Sequence, residues 1–364
     1  MAKTRVLIVE DSLTIRKVFA EVLSADPDIE IVGEATDGKQ AIEMCQRLKP
    51  DCMTLDLVLP VMTGLAVTEY VMAFCPTPIL IVSAATNRGE AFRTYDALAA
   101  GAVDVLDKPV DGLFHEGWDR RFVSAVKIAA RVKVITHIRG RMGSARQGAP
   151  SSPAQAGRPR PNNGGGQADG CNTDPRIIAV GCSTGGPAAI VEILKSLPKG
   201  FPIPILLVIH ISPPFGIAFS EWLDGLSRLP VRYARDGEPV PSLGESLVLM
   251  APPEQHLIVE SGRLRLTESP ARNSCRPSVD VLFESLAVEL GGAAIGCLLT
   301  GMGRDGAQGL LAMRNAGALT LVQDEASSVV FGMPREAIEL GAATRVLSLA
   351  DFYPALTALA CRTP

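Results

Sequence analysis

The sequence predicts a chain of two α/β domains, each with a mostly parallel sheet, joined by a flexible linker. A length of 364 residues suits two domains, because a domain takes ~150 residues on average. Apolar runs of strand length alternate with helical periods in both halves of the chain. Between the halves, residues 140–170 contain no Leu, Ile, Val, Phe, Tyr or Trp, so this stretch is too polar to form a core.

The first half contains five short, nearly continuous apolar runs. They are RVLIV (5–9), IEIVG (29–33), CMTLDL (52–57), PILIV (78–82) and VDVL (103–106). Helical periods lie between them; for example, Ile15, Val18 and Phe19 fall at helix spacing after Ser12, which suits an N-cap. Strands that are apolar throughout indicate a parallel sheet covered by helices on both faces, which is a doubly wound arrangement.

The second half repeats this pattern at larger scale. Its strand candidates are RIIAVG (176–181), ILLVIH (205–210), SLVLMA (246–251), AIGCLL (294–299) and ALTLVQ (318–323). Helical stretches begin near Gly185, Phe215, Ser278, Gly306 and Pro334. The segment 230–275 is rich in Pro and charge, and we expect a β-hairpin there.

Composition excludes several classes of protein. A net charge of −4 and only 5% aromatic residues give no footprint for nucleic-acid binding. Charged residues interrupt the N-terminal apolar run too soon for a signal peptide. No stretch contains the ~18 consecutive apolar residues that a membrane span requires. The eight cysteines form no C-x-x-C pair, so neither a structural zinc site nor a disulfide framework is expected. We expect a cytoplasmic protein without direct membrane insertion.

Polar residues follow the strands of the first half. Glu10 and Asp11 follow the first strand, Asp56 the third, Ser83 ends the fourth, and Lys108 follows the fifth. Parallel strands bring such residues to one edge of the sheet. Carboxylates that converge there suit Mg²⁺, and with a hydroxyl and a lysine they suit a phosphoryl group, which one carboxylate could accept.

The motifs VLIVEDS, LDLVLPVMTG and DKP resemble the receiver domain of two-component response regulators. The resemblance implies Asp56 as the phosphoacceptor and Mg²⁺ as the cofactor of phosphorylation. It further implies metal ligands at Glu10, Asp11 and Asp56, and phosphoryl-sensing groups at Ser83 and Lys108. Many receivers carry an aromatic switch residue three places before the lysine, where this chain has Val105.

The second half contains G-x-S-x-G at 181–185, after a buried strand and before a helix. In that context the motif presents a serine nucleophile, here Ser183, on a sharp turn, with free helix N–H groups available for an oxyanion. A phosphate-binding turn is the alternative interpretation.

A serine nucleophile needs a base and an acid. His210 ends the next strand along the chain and Asp305 follows another buried strand, so both are expected at the same sheet edge as Ser183. The order Ser, acid, His of α/β-hydrolases would instead select Asp236 and His256, and spacing alone leaves that alternative open.

The segment 301–306 also matches G-x-G-x-x-G, with Asp324 about 20 residues further on, as in dinucleotide sites. Asp305 lies within this motif. Its carboxylate would repel a pyrophosphate at short range, which weakens the dinucleotide interpretation.

Taken with His210, the motifs GCSTGGP, TGMGRDG and RPSVDVLF resemble the catalytic domain of the CheB family of chemotaxis protein-glutamate methylesterases. The family's domain is Rossmann-like. The resemblance implies Ser183 as nucleophile, His210 as general base and acid, and Asp305 as its orienting acid. It places the oxyanion hole at the backbone N–H groups of Thr184 and Met302 and requires no cofactor for the esterase chemistry. Departures are Cys182 for a usual alanine and Ile209 for a usual glutamine.

These resemblances predict a receiver domain at 1–125, an exit helix and linker at 126–173 and a methylesterase domain at 174–364. The expected activity is hydrolysis of glutamate methyl esters on methyl-accepting chemoreceptors, with deamidation of receptor glutamines, after phosphorylation by a CheA-type histidine kinase. A monomer is expected. The alternatives are a receiver-controlled esterase of another chemosensory pathway and a catalytically silent, phospho-dependent binding module.

Overall fold

The computed structural model describes residues 3–84, 87–109, 117–132, 134, 175–211 and 213–360. Within them the chain forms two parallel sheets, one in each half, and a separate two-stranded hairpin. The segment expected to be the exit helix and linker, 126–173, lies mostly outside the described residues. None of the described helices combines the length and apolar character that a bilayer span requires.

The N-terminal domain is a five-stranded parallel sheet with strand order β2-β1-β3-β4-β5. Its strands are β1 (Thr4–Val9), β2 (Ile29–Ala35), β3 (Cys52–Leu55), β4 (Ile79–Ser83) and β5 (Asp104–Asp107). Its helices are α1 (Leu13–Ser24), α2 (Gly38–Leu48), α3 (Gly64–Phe74), α4 (Arg88–Ala99) and α5 (Trp118–Ala129). The strand order reverses between β1 and β3, and ligands of such sheets bind at that point, beyond the carboxyl ends of the strands.

Local sequence explains where these helices begin. The side chains of Ser12, Asp37, Thr63 and Asn87 each accept a hydrogen bond from a backbone N–H in the first turn of the helix that follows. Such caps satisfy donors that have no partner inside the helix. The predicted cap at Ser12 is among them.

The C-terminal domain is a seven-stranded sheet in which every pairing is parallel, with strand order β14-β13-β12-β6-β7-β9-β8. Its strands are β6 (Ile177–Cys182), β7 (Ile205–Ile209), β8 (Val231–Tyr233), β9 (Val248–Met250), β12 (Ala294–Leu298), β13 (Leu319–Gln323) and β14 (Arg345–Leu347). Its helices are α6 (Gly186–Ser196), α7 (Pro213–Gly216), α8 (Phe219–Leu226), α9 (Val279–Glu289), α10 (Ala307–Asn315), α11 (Met333–Glu339) and α12 (Leu349–Ala360).

The hairpin expected within 230–275 is formed by β10 (His256–Glu260) and β11 (Arg263–Thr267), which pair antiparallel. In the large sheet, β6 has β7 on one side and β12 on the other. The chain therefore builds the sheet outward from β6 in both directions, and the strand order reverses there. The residue that follows β6 is therefore at the switch point of this sheet, the usual place for a ligand or a reaction centre.

The two domains pack through α4, which contacts α6 and α8. Tyr95 of α4 is fully buried, and its ring lies 5.1 Å from that of Phe219 and 5.2 Å from that of Trp222. Its hydroxyl donates to the Phe215 carbonyl, and the indole N–H of Trp222 donates to Asp96 at 2.9 Å. Buried aromatic rings with satisfied polar groups provide much of the contact energy of protein interfaces.

Candidate functional site: a carboxylate cluster and a Ser-His-Asp edge

The carboxyl edge of the N-terminal sheet brings together Glu10, Asp11 and Asp56, whose ligand atoms all lie within 4.8 Å of one another. Glu10 and Asp56 are buried, and Asp11 is exposed. The ammonium of Lys108 lies 2.8 Å from a carboxylate oxygen of Glu10 and 2.8 Å from one of Asp56. The backbone N–H of Lys108 donates to the carbonyl of Ser83, so Ser83 and Lys108 lie side by side at this edge.

Burial disfavours charge on these groups. It raises the pKa of Glu10 to about 7 and also raises the pKa of Asp56, although Lys108 acts in the opposite direction on both. A divalent cation would favour the ionised carboxylates. Three carboxylates in reach of one another form an all-oxygen donor set, which fits Mg²⁺.

The turn after β6 presents Ser183. Its N–H donates to the Thr300 carbonyl at 3.0 Å, which holds the turn against the chain that follows β12. Gly185 has φ of +77°, and a Cβ on Gly301 would lie 2.9 Å from the Cβ of Ser183. Glycine is therefore required at both positions, at 185 for the left-handed turn and at 301 for the close approach to Ser183.

His210 follows β7, the neighbouring strand. Its N–H donates to the Cys182 carbonyl at 3.0 Å, which holds the ends of β6 and β7 together. Its Nε2 lies 2.9 Å from Oδ2 of Asp305. No hydrogen bond joins Ser183 to His210 among the described residues; such bonds commonly form or shorten only when substrate is bound.

Asp305 is held by four donors. Besides His210, it accepts from Ser278 Oγ at 2.7 Å, from the Val279 N–H at 2.6 Å and from Asn273 Nδ2 at 3.0 Å. Ser278 and Val279 form the N-terminus of α9, which favours a negative charge. Burial acts to raise the pKa of Asp305, but these hydrogen bonds outweigh it and lower the pKa to about 2.

The contact between His210 and Asp305 also shifts the pKa of the His210 imidazole. Burial acts to lower the pKa of His210, but hydrogen bonds with Asp305 and then Cys275 outweigh burial and raise the pKa to about 9. With Nε2 donating to Asp305, Nδ1 is the nitrogen left to exchange a proton with a substrate or nucleophile.

Two backbone N–H groups beside Ser183 have no acceptor among the described residues, namely those of Thr184 and Met302. The side chain of Thr184 crosses to the other domain, where its hydroxyl donates to Asp104 at 2.7 Å. A cleft of about 320 Å³ opens beside these residues, and α5 of the N-terminal domain forms its opposite wall.

The competing residues have other partners. His256 is fully buried; its Nδ1 accepts from the Ser278 N–H at 3.1 Å, so it supports the turn before α9. Asp236 accepts from the Leu266 N–H, and the Asp324 carboxylate accepts from the N–H and hydroxyl of Ser327, three residues further on. Neither the Asp236–His256 pair nor a ribose-binding Asp324 is supported by this geometry.

Two family models match the chain, the CheB methylesterase over residues 178–356 and the response regulator receiver domain over residues 6–113. A protein-glutamate methylesterase/protein-glutamine glutaminase from Nitrosospira multiformis is 42% identical over 357 residues, covering 97% of this chain and 96% of the relative. The chain belongs to the CheB methylesterase family. Protein-glutamate methylesterase/protein-glutamine glutaminase 2 from Anaeromyxobacter dehalogenans is 40% identical, covering 98% of this chain and 96% of the relative.

Solved structures with similar chains include both halves of CheB from Thermotoga maritima. The catalytic domain is 35% identical with a TM-score of 0.48, covering 51% of this chain and all of that one. The response regulator domain is 34% identical with a TM-score of 0.33, covering 36% of this chain and 98% of that one.

CheB family membership confirms the resemblances inferred from the motifs, the enzyme class and the predicted fold class. The alternatives of a silent binding module and of another chemosensory esterase are not favoured. The topology agrees with the fold prediction, since both sheets are parallel and each has helices after its strands.

Sequence reasoning missed four residues that the CheB fold brings to these sites. Asn273 binds Asp305, Cys275 approaches His210, Asp104 binds Thr184, and Tyr95 fills the domain interface. The RPSVDVLF motif beside Asn273 and Cys275 was a usable signal for the first two. No local pattern distinguished Asp104 or Tyr95 from ordinary strand and helix residues.

Proposed function

We propose that the protein hydrolyses glutamate methyl esters on chemoreceptors and deamidates receptor glutamines, with Ser183 as nucleophile, His210 as general base and acid, and Asp305 as its orienting acid. The observation that carries this proposal is the position of Ser183 at a switch point beside an Asp305–His210 pair. The names of the relatives support the substrate class.

The geometry supports an acyl-enzyme mechanism. Asp305 stays ionised and accepts from Nε2 of His210, so Nδ1 takes the proton of the Ser183 hydroxyl as its oxygen attacks the ester carbonyl. His210 then gives the same proton to the ester oxygen as its bond to carbon breaks, so that methanol leaves, or to the amide nitrogen of a glutamine, which leaves as ammonia. A water molecule, deprotonated by His210, releases the glutamate and restores Ser183.

The free N–H groups of Thr184 and Met302 are proposed to hold the tetrahedral oxyanion. Donors fixed in place before the reaction are worth the most where charge develops in the transition state. Thr184 follows the nucleophile directly, and Met302 lies in the loop next to Gly301, which contacts Ser183.

In the N-terminal domain we propose Asp56 as the residue phosphorylated by a CheA-type histidine kinase, with Glu10, Asp11 and Asp56 as the Mg²⁺ ligands. Mg²⁺ supplies charge neutralisation at the phosphoryl oxygens when bound. The contact of Lys108 with Asp56 supports a role for Lys108, together with the hydroxyl of Ser83, in binding a phosphoryl group there. We also propose a cytoplasmic monomer that acts on cytoplasmic receptor helices and binds no nucleic acid.

The domain interface supports inhibition by the unphosphorylated receiver. Asp104 binds the side chain of Thr184, whose N–H is a proposed oxyanion donor, and α5 walls the cleft beside it. A receptor helix could not approach Ser183 from that side while the domains stay packed. Phosphorylation of Asp56 is then expected to shift the population toward an opened arrangement.

Methanol release from methylated receptor membranes tests the proposed function. We expect release by the wild type to rise when a phosphodonor and Mg²⁺ are added, and to stay at its basal level in Asp56→Asn. Activation of Asp56→Asn by the phosphodonor would contradict the assigned phosphorylation site. Absence of release under every condition would contradict the proposed substrate.

Substitution of Asp104 tests the inhibitory contact. Asp104→Ala removes the acceptor for the Thr184 hydroxyl, and a hydrogen bond of this kind contributes roughly 1.5 kcal/mol, so we expect basal methanol release to rise about tenfold. Asp104→Asn is the matched control, because its amide can still pair with the hydroxyl. Equal basal rates in the wild type and Asp104→Ala would exclude a role for this contact.

A further inference from the structure

A thiol lies beside the proposed base. The Sγ of Cys275 is 3.7 Å from Nδ1 of His210, the nitrogen that does not face Asp305. The ligand atoms of His210, Cys275 and Asp305 all lie within 4.8 Å of one another. Cys275 is half-buried, and 14% of the surface of the His210 side chain is exposed to solvent, so a small solute can reach both.

The separation of the two atoms suits a bound metal ion. Zn²⁺ bonds thiolate sulfur at about 2.3 Å and imidazole nitrogen at about 2.1 Å, and a tetrahedral angle between them separates the two ligand atoms by roughly 3.6 Å. The observed 3.7 Å matches this value. Zn²⁺ is commonly bound by imidazole nitrogen and thiolate sulfur together. Mg²⁺ prefers oxygen ligands, so this pair does not suit it.

The third residue of the cluster has the role of an outer partner. Histidines that bind zinc usually donate their other N–H to a carboxylate, which orients the ring and strengthens its basicity. Asp305 already holds Nε2 at 2.9 Å in this way and is itself fixed by Ser278, Val279 and Asn273. The ring of His210 is therefore oriented with Nδ1 toward the thiol before any metal binds.

We propose that Cys275 Sγ and His210 Nδ1 form an inhibitory Zn²⁺ site, with Asp305 as the outer partner of the histidine and water in the remaining positions. Binding releases the thiol proton, and any proton on Nδ1, to solvent. The metal then occupies the nitrogen that would deprotonate Ser183, so the esterase stops while zinc is bound. Inhibition rests on the proposed function of His210 as the base, whereas metal binding does not.

Binding is tested with Co²⁺ as a spectroscopic probe for the zinc site. The full-length protein is titrated with Co²⁺ in saturating Mg²⁺, which occupies the oxygen-only cluster of Glu10, Asp11 and Asp56. We expect a thiolate-to-cobalt absorption band in the wild type that is lost in Cys275→Ser and displaced by one equivalent of Zn²⁺. Cys75→Ser is the matched control, because Cys75 is another half-buried thiol and should not affect the band.

Inhibition is measured in parallel as methanol release against Zn²⁺ concentration, with each variant normalised to its own metal-free rate. We expect the half-inhibitory concentration to rise at least tenfold in Cys275→Ser and to stay unchanged in Cys75→Ser. Equal inhibition of wild type and Cys275→Ser, or a band that survives in Cys275→Ser, would overturn the proposal. A Cys275-dependent band in a protein without esterase activity would instead contradict the proposed function and leave the metal site standing.

Discussion

Ser183→Ala is expected to reduce methanol release by at least ~10⁴-fold, because loss of the nucleophile leaves only the contribution of binding and oxyanion donors. The hydroxyl of Ser183 forms no hydrogen bond among the described residues, so its removal leaves no buried partner unsatisfied. The unfolding temperature should therefore stay close to that of the wild type. Rates are measured on methylated receptor membranes with phosphodonor present.

Ser196→Ala serves as the matched control for this variant. Ser196 is an exposed serine at the end of α6, and among the described residues its hydroxyl donates to the Glu192 carbonyl alone. Its substitution should leave the rate unchanged. Substantial methanol release by Ser183→Ala would show that another group attacks the ester and would exclude the acyl-enzyme mechanism on Ser183.

Asp305→Asn is expected to lower the rate constant by about 10⁴-fold at neutral pH, since an amide no longer holds Nε2–H of His210 in the required orientation. It should also change the pH profile. The base must be neutral, and the hydrogen bond with Asp305 contributes to raising the pKa of His210 to about 9. Wild-type activity should thus rise with pH toward that value, and the midpoint should fall to lower pH in Asp305→Asn.

Asp236→Asn is the matched control, because Asp236 is the carboxylate that the α/β-hydrolase order would have selected. It lies at the hairpin, where it accepts from the Leu266 N–H. Its substitution should change neither the rate constant nor the midpoint of the pH profile. A loss of activity in Asp236→Asn comparable to that in Asp305→Asn would reverse the assignment of the acid.

Much of the fold could be predicted because the sheets are parallel and buried. Their strands are therefore uninterrupted apolar runs, and the residues that follow them meet at one edge whatever the details of packing. This geometry is why Ser183, His210 and Asp305 could be grouped, although their sequence positions span more than a hundred residues. Glu10, Asp56 and Lys108 lie together for the same reason.

Other features depend on how loops and domains pack, which no local period encodes. Spacing alone left His256 open as a base, and only the tertiary structure assigns its Nδ1 to the Ser278 N–H. Asp104 was one residue of a short strand, and its bond to Thr184 exists only because the domains meet there. Cys275 lies 65 residues from His210 along the chain, and no sequence pattern predicts that the two side chains are close.

The contacts of Tyr95, Asp96 and Asp104 lie outside the Ser-His-Asp machinery, yet they hold the domains together. When the packed arrangement is the resting one, the free energy of these contacts sets the ratio of the stimulated rate to the resting rate. That ratio changes tenfold for every ~1.4 kcal/mol of contact energy. Substitutions at this interface can therefore change how strongly the esterase responds to phosphorylation, while the chemistry at Ser183 stays the same.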